Sequence, residues 1–262
     1  MRKISIRGRS RALAAVVATL ALLVPAGSLG GQERPSAREV VQRIDELYRA
    51  DSSYAEMEMQ IVTPNWERTL RMRAWSEGTD KSFIRILEPR KERGVGTLRI
   101  ENEMWNYLPN ANRVMRIPPS MMMSSWMGSD FNNNDLVRQF TFAEDYTFGY
   151  ADVSDPDEGV LYIRAVPKEG RPIVWGHVML EVRAENLLPR AERYYDDEGT
   201  LMRVMNFREV QTFDGRRIPS VLELVPQDEE GSRTVLRYLD AEFNIDVPDG
   251  TFSQRNLRTF RD

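Results

Sequence analysis

From residue 36 onward the apolar positions follow two successive periods. Ala37, Val40, Val41, Ile44, Leu47 and Tyr48 repeat every three to four residues behind Ser36-Ala37-Arg38-Glu39, which has capping-box spacing, so residues 36–50 are predicted as an amphipathic helix. From Tyr54 the period changes to two. Ala55, Met57, Met59 and Ile61 alternate with Tyr54, Glu56, Glu58 and Gln60, as in a strand with one wet face. Leu70–Ser76, Ser82–Leu87, Leu98–Glu101, Met104–Leu108 and Arg113–Ile117 continue the pattern, with Glu77-Gly78-Thr79-Asp80 and Pro109-Asn110-Ala111-Asn112 as turns. A second series comprises Val160–Val166, Val174–Arg183, Arg190–Tyr195, Leu201–Val210, Ile218–Val225 and Thr234–Phe243. Its connections include Asp196-Asp197-Glu198-Gly199, Asp214-Gly215 and Glu230-Gly231. Short strands joined by tight turns predict a mainly β chain with a meandering antiparallel sheet of about eleven strands, interrupted by an irregular insertion near 118–145. A sheet of that size is expected to curl, and its concave side must be filled.

The N-terminus has a different character. Arg2, Lys3, Arg7, Arg9 and Arg11 precede the apolar run Ala12–Val24 and the small residues of 25–30. This is the layout of a secretory signal peptide over residues 1–30, with the remainder, residues 31–262, expected as one domain. The run is too short for a comfortable membrane span, and no Cys follows it to carry a lipid. A soluble, exported, periplasmic protein is expected. Export also changes the electrostatics, because residues 1–30 hold five basic and no acidic groups. The formal charge moves from −4 for the whole chain to −9. Nucleic acid is a poor partner for such a surface.

The residue inventory narrows the chemistry. The chain has no Cys and one His, so thiol catalysis, Cys-based metal sites and two-His metal sites within the chain are excluded. His177 lies in a strand-like run without a G-x-S-x-G elbow to serve, and reads as structural. The acidic runs 130–135 and 155–159 do not have EF-hand spacing and read as capped turns. Gly94-Val95-Gly96-Thr97 lacks the further residues of a dinucleotide or phosphate loop. No catalytic residue, metal site or cofactor is therefore predicted.

Methionine is the conspicuous residue type, with twelve beyond the initiator. Met121, Met122, Met123, Trp126 and Met127 cluster in the insertion between Pro118-Pro119 and Gly128. On a helical turn, Met123, Trp126 and Met127 would share a face. Methionine adapts to irregular or changing apolar partners, so this segment is a candidate lid over a lipophilic cavity, with core packing as the simpler reading. Met57, Met59, Met72, Trp75, Trp105 and Phe131 are the accompanying candidates for cavity and lid residues. Stacking of sugar rings on Trp75, Trp105 and Trp175 is a weaker alternative.

Several segments resemble the LolA-like family of outer-membrane lipoprotein-sorting proteins. They are Leu70-Arg71-Met72-Arg73-Ala74-Trp75, Ile86-Leu87-Glu88-Pro89 and Gly94-Val95-Gly96-Thr97-Leu98-Arg99-Ile100, and above all the run from Met104 to Val137, with weaker pieces near Leu188-Pro189, Ile218-Pro219 and Tyr238-Leu239. The resemblance implies a strongly curved antiparallel sheet forming an incomplete, half-open barrel, with helices closing its open side around a hydrophobic cavity. It further implies a non-catalytic carrier of lipid or lipoprotein acyl chains, and an RND/MMPL-type inner-membrane exporter as a candidate partner. An adaptor that docks on such an exporter without carrying lipid is the alternative.

Overall fold

The computed structural model describes residues 34–138, 142–171 and 173–259. The segment read as an export signal lies outside the described residues. Among the described residues thirteen strands form one antiparallel sheet, and its spatial order explains the rest of the architecture. Strands β1 (Ser52–Val62), β2 (Glu67–Glu77), β3 (Lys81–Glu88), β4 (Gly96–Ile100), β5 (Glu103–Leu108) and β6 (Arg113–Arg116) step outward to one edge. The chain then passes to the opposite edge, where β7 (Tyr146–Tyr150) begins the return. Strands β8 (Val160–Pro167), β9 (His177–Arg183), β10 (Pro189–Tyr195), β11 (Leu201–Phe213), β12 (Arg216–Pro226) and β13 (Arg233–Phe243) bring it back beside β1. The first and last strands thus pair in the middle, with Met59 opposite Leu236. Strands β6 and β7 are the two free edges.

The sheet is curved and does not close into a barrel. Its strand number corrects the expectation of about eleven. The strand absent from the sequence reading is β7, whose sequence Tyr-Thr-Phe-Gly-Tyr contains Gly149 and lies just beyond the irregular insertion. Central strands reproduce the predicted alternation. In β1 the residues Ala55, Met57, Met59 and Ile61 are buried, and the residues between them are half-buried.

The first helix, α1 (Ala37–Asp45), opens as its sequence requires. Ser36 Oγ accepts the Glu39 N–H at 3.3 Å, and the Glu39 carboxylate accepts the Ser36 N–H at 2.7 Å. Ala37, Val40, Val41 and Ile44 pack onto Ile163, Val178, Leu180 and Val182 of β8 and β9. The helix stops at Asp45 instead of reaching residue 50. Beyond it, Arg216 donates to the carbonyls of Glu46 (3.3 Å) and Arg49 (2.6 Å), and Tyr48 turns to donate to the Pro219 carbonyl at 2.7 Å. These tertiary hydrogen bonds replace the next helical turn.

A second packing layer seals the β3–β6 end. The short helix α4 (Gln254–Arg258) presses Leu257 against Phe83, Leu98 and Tyr107. Arg85, buried in the sheet, donates to the carbonyls of Gly94 (2.7 Å), Leu257 (3.1 Å) and Asn256 (2.7 Å). Burial lowers its guanidinium to about 10.

One close approach is a sharp test of the β9–β10 geometry. A Cβ at Gly176 would lie 2.3 Å from the Asp196 carbonyl oxygen and 2.8 Å from the Asp197 Cα. Gly176→Ala is expected to destabilise the protein by about 1–3 kcal/mol, because backbone on both sides must move. Urea unfolding with an unchanged midpoint would contradict this geometry.

Candidate functional site

The residues that follow β6 lie against the sheet and are tied to it at four separate strands. Arg68 of β2 donates to the Met127 carbonyl. The Trp126 indole N–H donates to Thr97 Oγ1 of β4 at 3.0 Å, and Thr97 donates in turn to Asn106 Oδ1 at 2.8 Å. Thr234 of β13 donates to the Asp130 carboxylate at 2.7 Å. Arg203 of β11 holds Asp135 through two parallel hydrogen bonds of 2.9 and 2.6 Å.

The sequence predicted a helical turn within Pro118–Gly128, and the structure corrects this. A single 3-10 turn at Pro119–Met121 is followed by a tight loop, closed by an antiparallel bridge between Ser125 and Asn132. Met127 (φ 55°) and Gly128 (φ 72°) adopt left-handed backbone, which no continuous α-helix tolerates. Two short helices then follow, α2 (Asn133–Arg138) and α3 (Phe142–Asp145).

Between this segment and the sheet lies a cavity of about 300 Å³. That volume is at the lower end of the range for small-molecule ligand sites, roughly 300–1,000 Å³. One wall is apolar, formed by Met57, Met59, Met72, Ala74 and Ile84 of β1–β3 with Leu236 and Tyr238 of β13. Met205, Phe207 and Leu222 continue it across β11 and β12. The segment after β6 contributes Trp126, Phe131 and Leu136, and the residues after α1 contribute Tyr48, whose ring stacks on Tyr238 at 5.5 Å.

Of the eleven residues selected from the sequence, Met57, Met59, Met72, Trp75, Trp126 and Phe131 line this cavity. Trp75 also packs against Tyr54 and Phe83. The other five lie elsewhere. Trp105 belongs to the cluster under α4. Met121 and Met123 are exposed, at 46% and 44%. Met122 is half-buried, with its carbonyl accepting the Asn134 N–H. Met127 packs half-buried against the central core. Only Trp126 of the methionine-rich run turns fully inward, because the loop has no helical face to share.

The opposite wall is polar, and sequence reasoning missed it. Asp45 at the end of α1, Asp135 of α2, Glu192 and Tyr194 of β10, Arg203 of β11 and Trp175 before β9 converge there. The Arg203 guanidinium lies over the rings of Trp175 (4.6 Å) and Tyr194 (4.5 Å). The Tyr194 hydroxyl donates to Glu192, and the Ala143 N–H donates to Asp45 at 2.8 Å. The available signal was weak: Glu192 and Tyr194 are alternate residues of one strand, a spacing that many solvent-facing strands share.

Burial raises Glu192 to about 7 and Asp45 to about 6, in each case against the smaller opposing effect of its hydrogen bond. The folded protein therefore holds these protons more tightly than the unfolded chain. Their contribution is most favourable at low pH and is lost as pH rises from the ordinary carboxylate range through 6 to 7. Glu192→Gln is expected to be about 2–3 kcal/mol more stable than the parent at pH 8 and equal to it at pH 4. Chemical denaturation at the two pH values measures this, and equal stabilities at pH 8 would show that Glu192 is not desolvated.

No curated protein matches the chain. Solved structures that share its fold include three with TM-scores of 0.69 or more. A DUF1329 family protein from Desulfovibrio piger superposes with a TM-score of 0.74 at 24% identity, covering 84% of this chain and 97% of that one. A domain described as outer membrane lipoprotein-sorting, from Vibrio parahaemolyticus, gives 0.72 at 22% identity, covering 85% and 98%. A LolA superfamily protein from Nitrosomonas europaea gives 0.69 at 22% identity, covering 85% and 100%. The fold is accordingly LolA-like, as the sequence resemblance implied. At the level of sequence, the model of a family described as "Uncharacterized protein" matches residues 78–259, and the chain belongs to that family.

Proposed function

We propose that this protein is a non-catalytic periplasmic carrier that holds the acyl chains of lipids or lipoproteins in its cavity and moves them through the cell envelope. The observation that carries the reading is the cavity itself, with an apolar wall of methionine, leucine, isoleucine and aromatic side chains beneath the segment after β6. Each methylene moved from water into such a site contributes about 0.8 kcal/mol. Release then requires a movable cover. In this reading helix α1 and residues 117–138 serve as that cover, and the repacking of Met57, Met59 and Met72 lets the cavity suit both loaded and empty states. The N-terminal 30 residues act as the export signal in this reading. The LolA-like fold supports the carrier assignment by likeness. The adaptor alternative, with its exporter partner, gains no support from the fold or the cavity.

The test is lipid extraction and native mass spectrometry of protein purified from the cell envelope. Acyl lipid bound near one molecule per chain is the expected result. Ala74→Phe, which fills the apolar wall, is expected to weaken binding of a fluorescent fatty-acid probe at least about tenfold, with circular dichroism verifying the fold. A parent protein that carries no lipid and takes up no probe overturns the reading.

A further inference from the structure

The two walls of the cavity differ in charge as well as polarity. Among the described residues that line it, Arg203 is the one cation, and Asp135 engages it with both carboxylate oxygens. Asp145 also lines the cavity and is paired with Arg171 at 3.3 Å, which leaves Glu192 and Asp45. Each receives one hydrogen bond, from the Tyr194 hydroxyl and the Ala143 N–H respectively, and neither has an ion-pair partner among the described residues. Glu192 faces Tyr194 on its own strand, Arg203 from β11, Asp135 from α2, and Asp45 and Tyr48 from α1 and the turn that follows it. Asp45 faces Arg49, Glu46 and Glu144. Asp45 is near enough to Glu192 to raise its carboxyl, and Trp175, Tyr194 and Tyr48 line the same cavity.

A half-buried carboxyl with an unused oxygen, a second one close enough to act on it, and aromatic walls form a site that attracts positive charge. An anionic head would meet two carboxyls without an ion-pair partner and find both terminal nitrogens of Arg203 already held by Asp135, with only its Nε–H left to donate. A neutral head would gain hydrogen bonds without relieving the repulsion.

We propose that the cavity takes an amphiphile with a cationic head, its ammonium group seated between Glu192 and Asp45 and its chain lying along the methionine wall of β1–β3. The proposal rests on the carrier reading and names the class of cargo. Both carboxyls are raised, so a cation must displace their protons, and affinity rises with pH through the range 6 to 7. The preference belongs to the head and not to the chain, which separates the two readings experimentally.

Three probes of equal chain length make the comparison: decylammonium, 1-decanol and decyl sulfate, each below its micellar concentration and followed by the fluorescence of Trp75, Trp126 and Trp175. At pH 8 decylammonium is expected to bind at least about tenfold tighter than decanol, with decyl sulfate weakest. At pH 5 the ammonium preference is expected to fall below about twofold. In Glu192→Gln/Asp45→Asn the ammonium-to-alcohol ratio at pH 8 is expected to collapse to about one. Equal binding of all three probes, tighter binding of the sulfate, or a ratio unchanged in the double variant overturns the cationic head and leaves the carrier reading standing. Failure of all three to bind removes both.

Discussion

Replacing Arg203 by leucine is expected to destabilise the protein by about 3–5 kcal/mol, the range for removing one partner of a buried ion pair. Its side chain is 9% exposed and that of Asp135 is 20%, so neither is compensated by bulk water. The loss has two sources. Arg203 fills the space between Trp175 and Tyr194, and without it those rings lose their packing. Its removal also leaves Asp135 unpaired beside Glu192, whose carboxyl already feels Asp135 as a like charge. The protein should respond partly by taking up protons, so the deficit should be smaller at pH 5 than at pH 8. Arg203→Leu/Asp135→Leu is expected to recover much of the loss, since it removes the uncompensated charge with its partner. Denaturant unfolding of the single and double variants across this pH range measures both effects. A single variant within about 1 kcal/mol of the parent would mean that the ion pair does not tie α2 to the sheet in solution.

Trp126→Ala is the second large effect, at about 3–5 kcal/mol. Trp126 is 4% exposed, belongs to the core cluster with Met59, Met72 and Ile86, and donates to Thr97. Truncation leaves a void between the segment after β6 and the sheet, and strips the Thr97–Asn106 pair of its third member. Because that segment has few apolar anchors, the damage should be concentrated there. Limited proteolysis is expected to cut within residues 117–138 well before the parent is cut. Trp126→Phe, which keeps most of the ring and loses the hydrogen bond, should fall between the two. Uniform cleavage along the chain would show that Trp126 stabilises the whole sheet without seating the segment.

The same distinction marks how much was legible beforehand. The strands of the return series were readable because each carries its own alternation and ends at its own turn chemistry, such as Asp214-Gly215. Helix α1 was readable at its start, where capping is a local matter, and not at its end, where Arg216 and Pro219 from a distant hairpin decide where the turn opens. The LolA-like likeness lay in continuous segments and was visible for that reason. The inward-facing methionines of β1 and β2 followed from a period of two. The loop at Met121–Met127 did not follow any period, so which of its side chains turned inward had no sequence signature.

The sequence by itself determined the predominantly β character, most strand positions, the absence of thiol and multi-histidine chemistry, and a methionine-rich apolar side to the sheet. These rest on local periodicity and on composition, which no tertiary contact alters. The tertiary structure alone decided that β1 pairs with β13, which puts β6 and β7 at opposite edges of the sheet. It also decided that Asp45, Asp135, Glu192 and Arg203, spread over 159 positions of the chain, share one wall. Charges that look solvated in a linear reading become a binding chemistry only once the fold removes them from water and places them side by side.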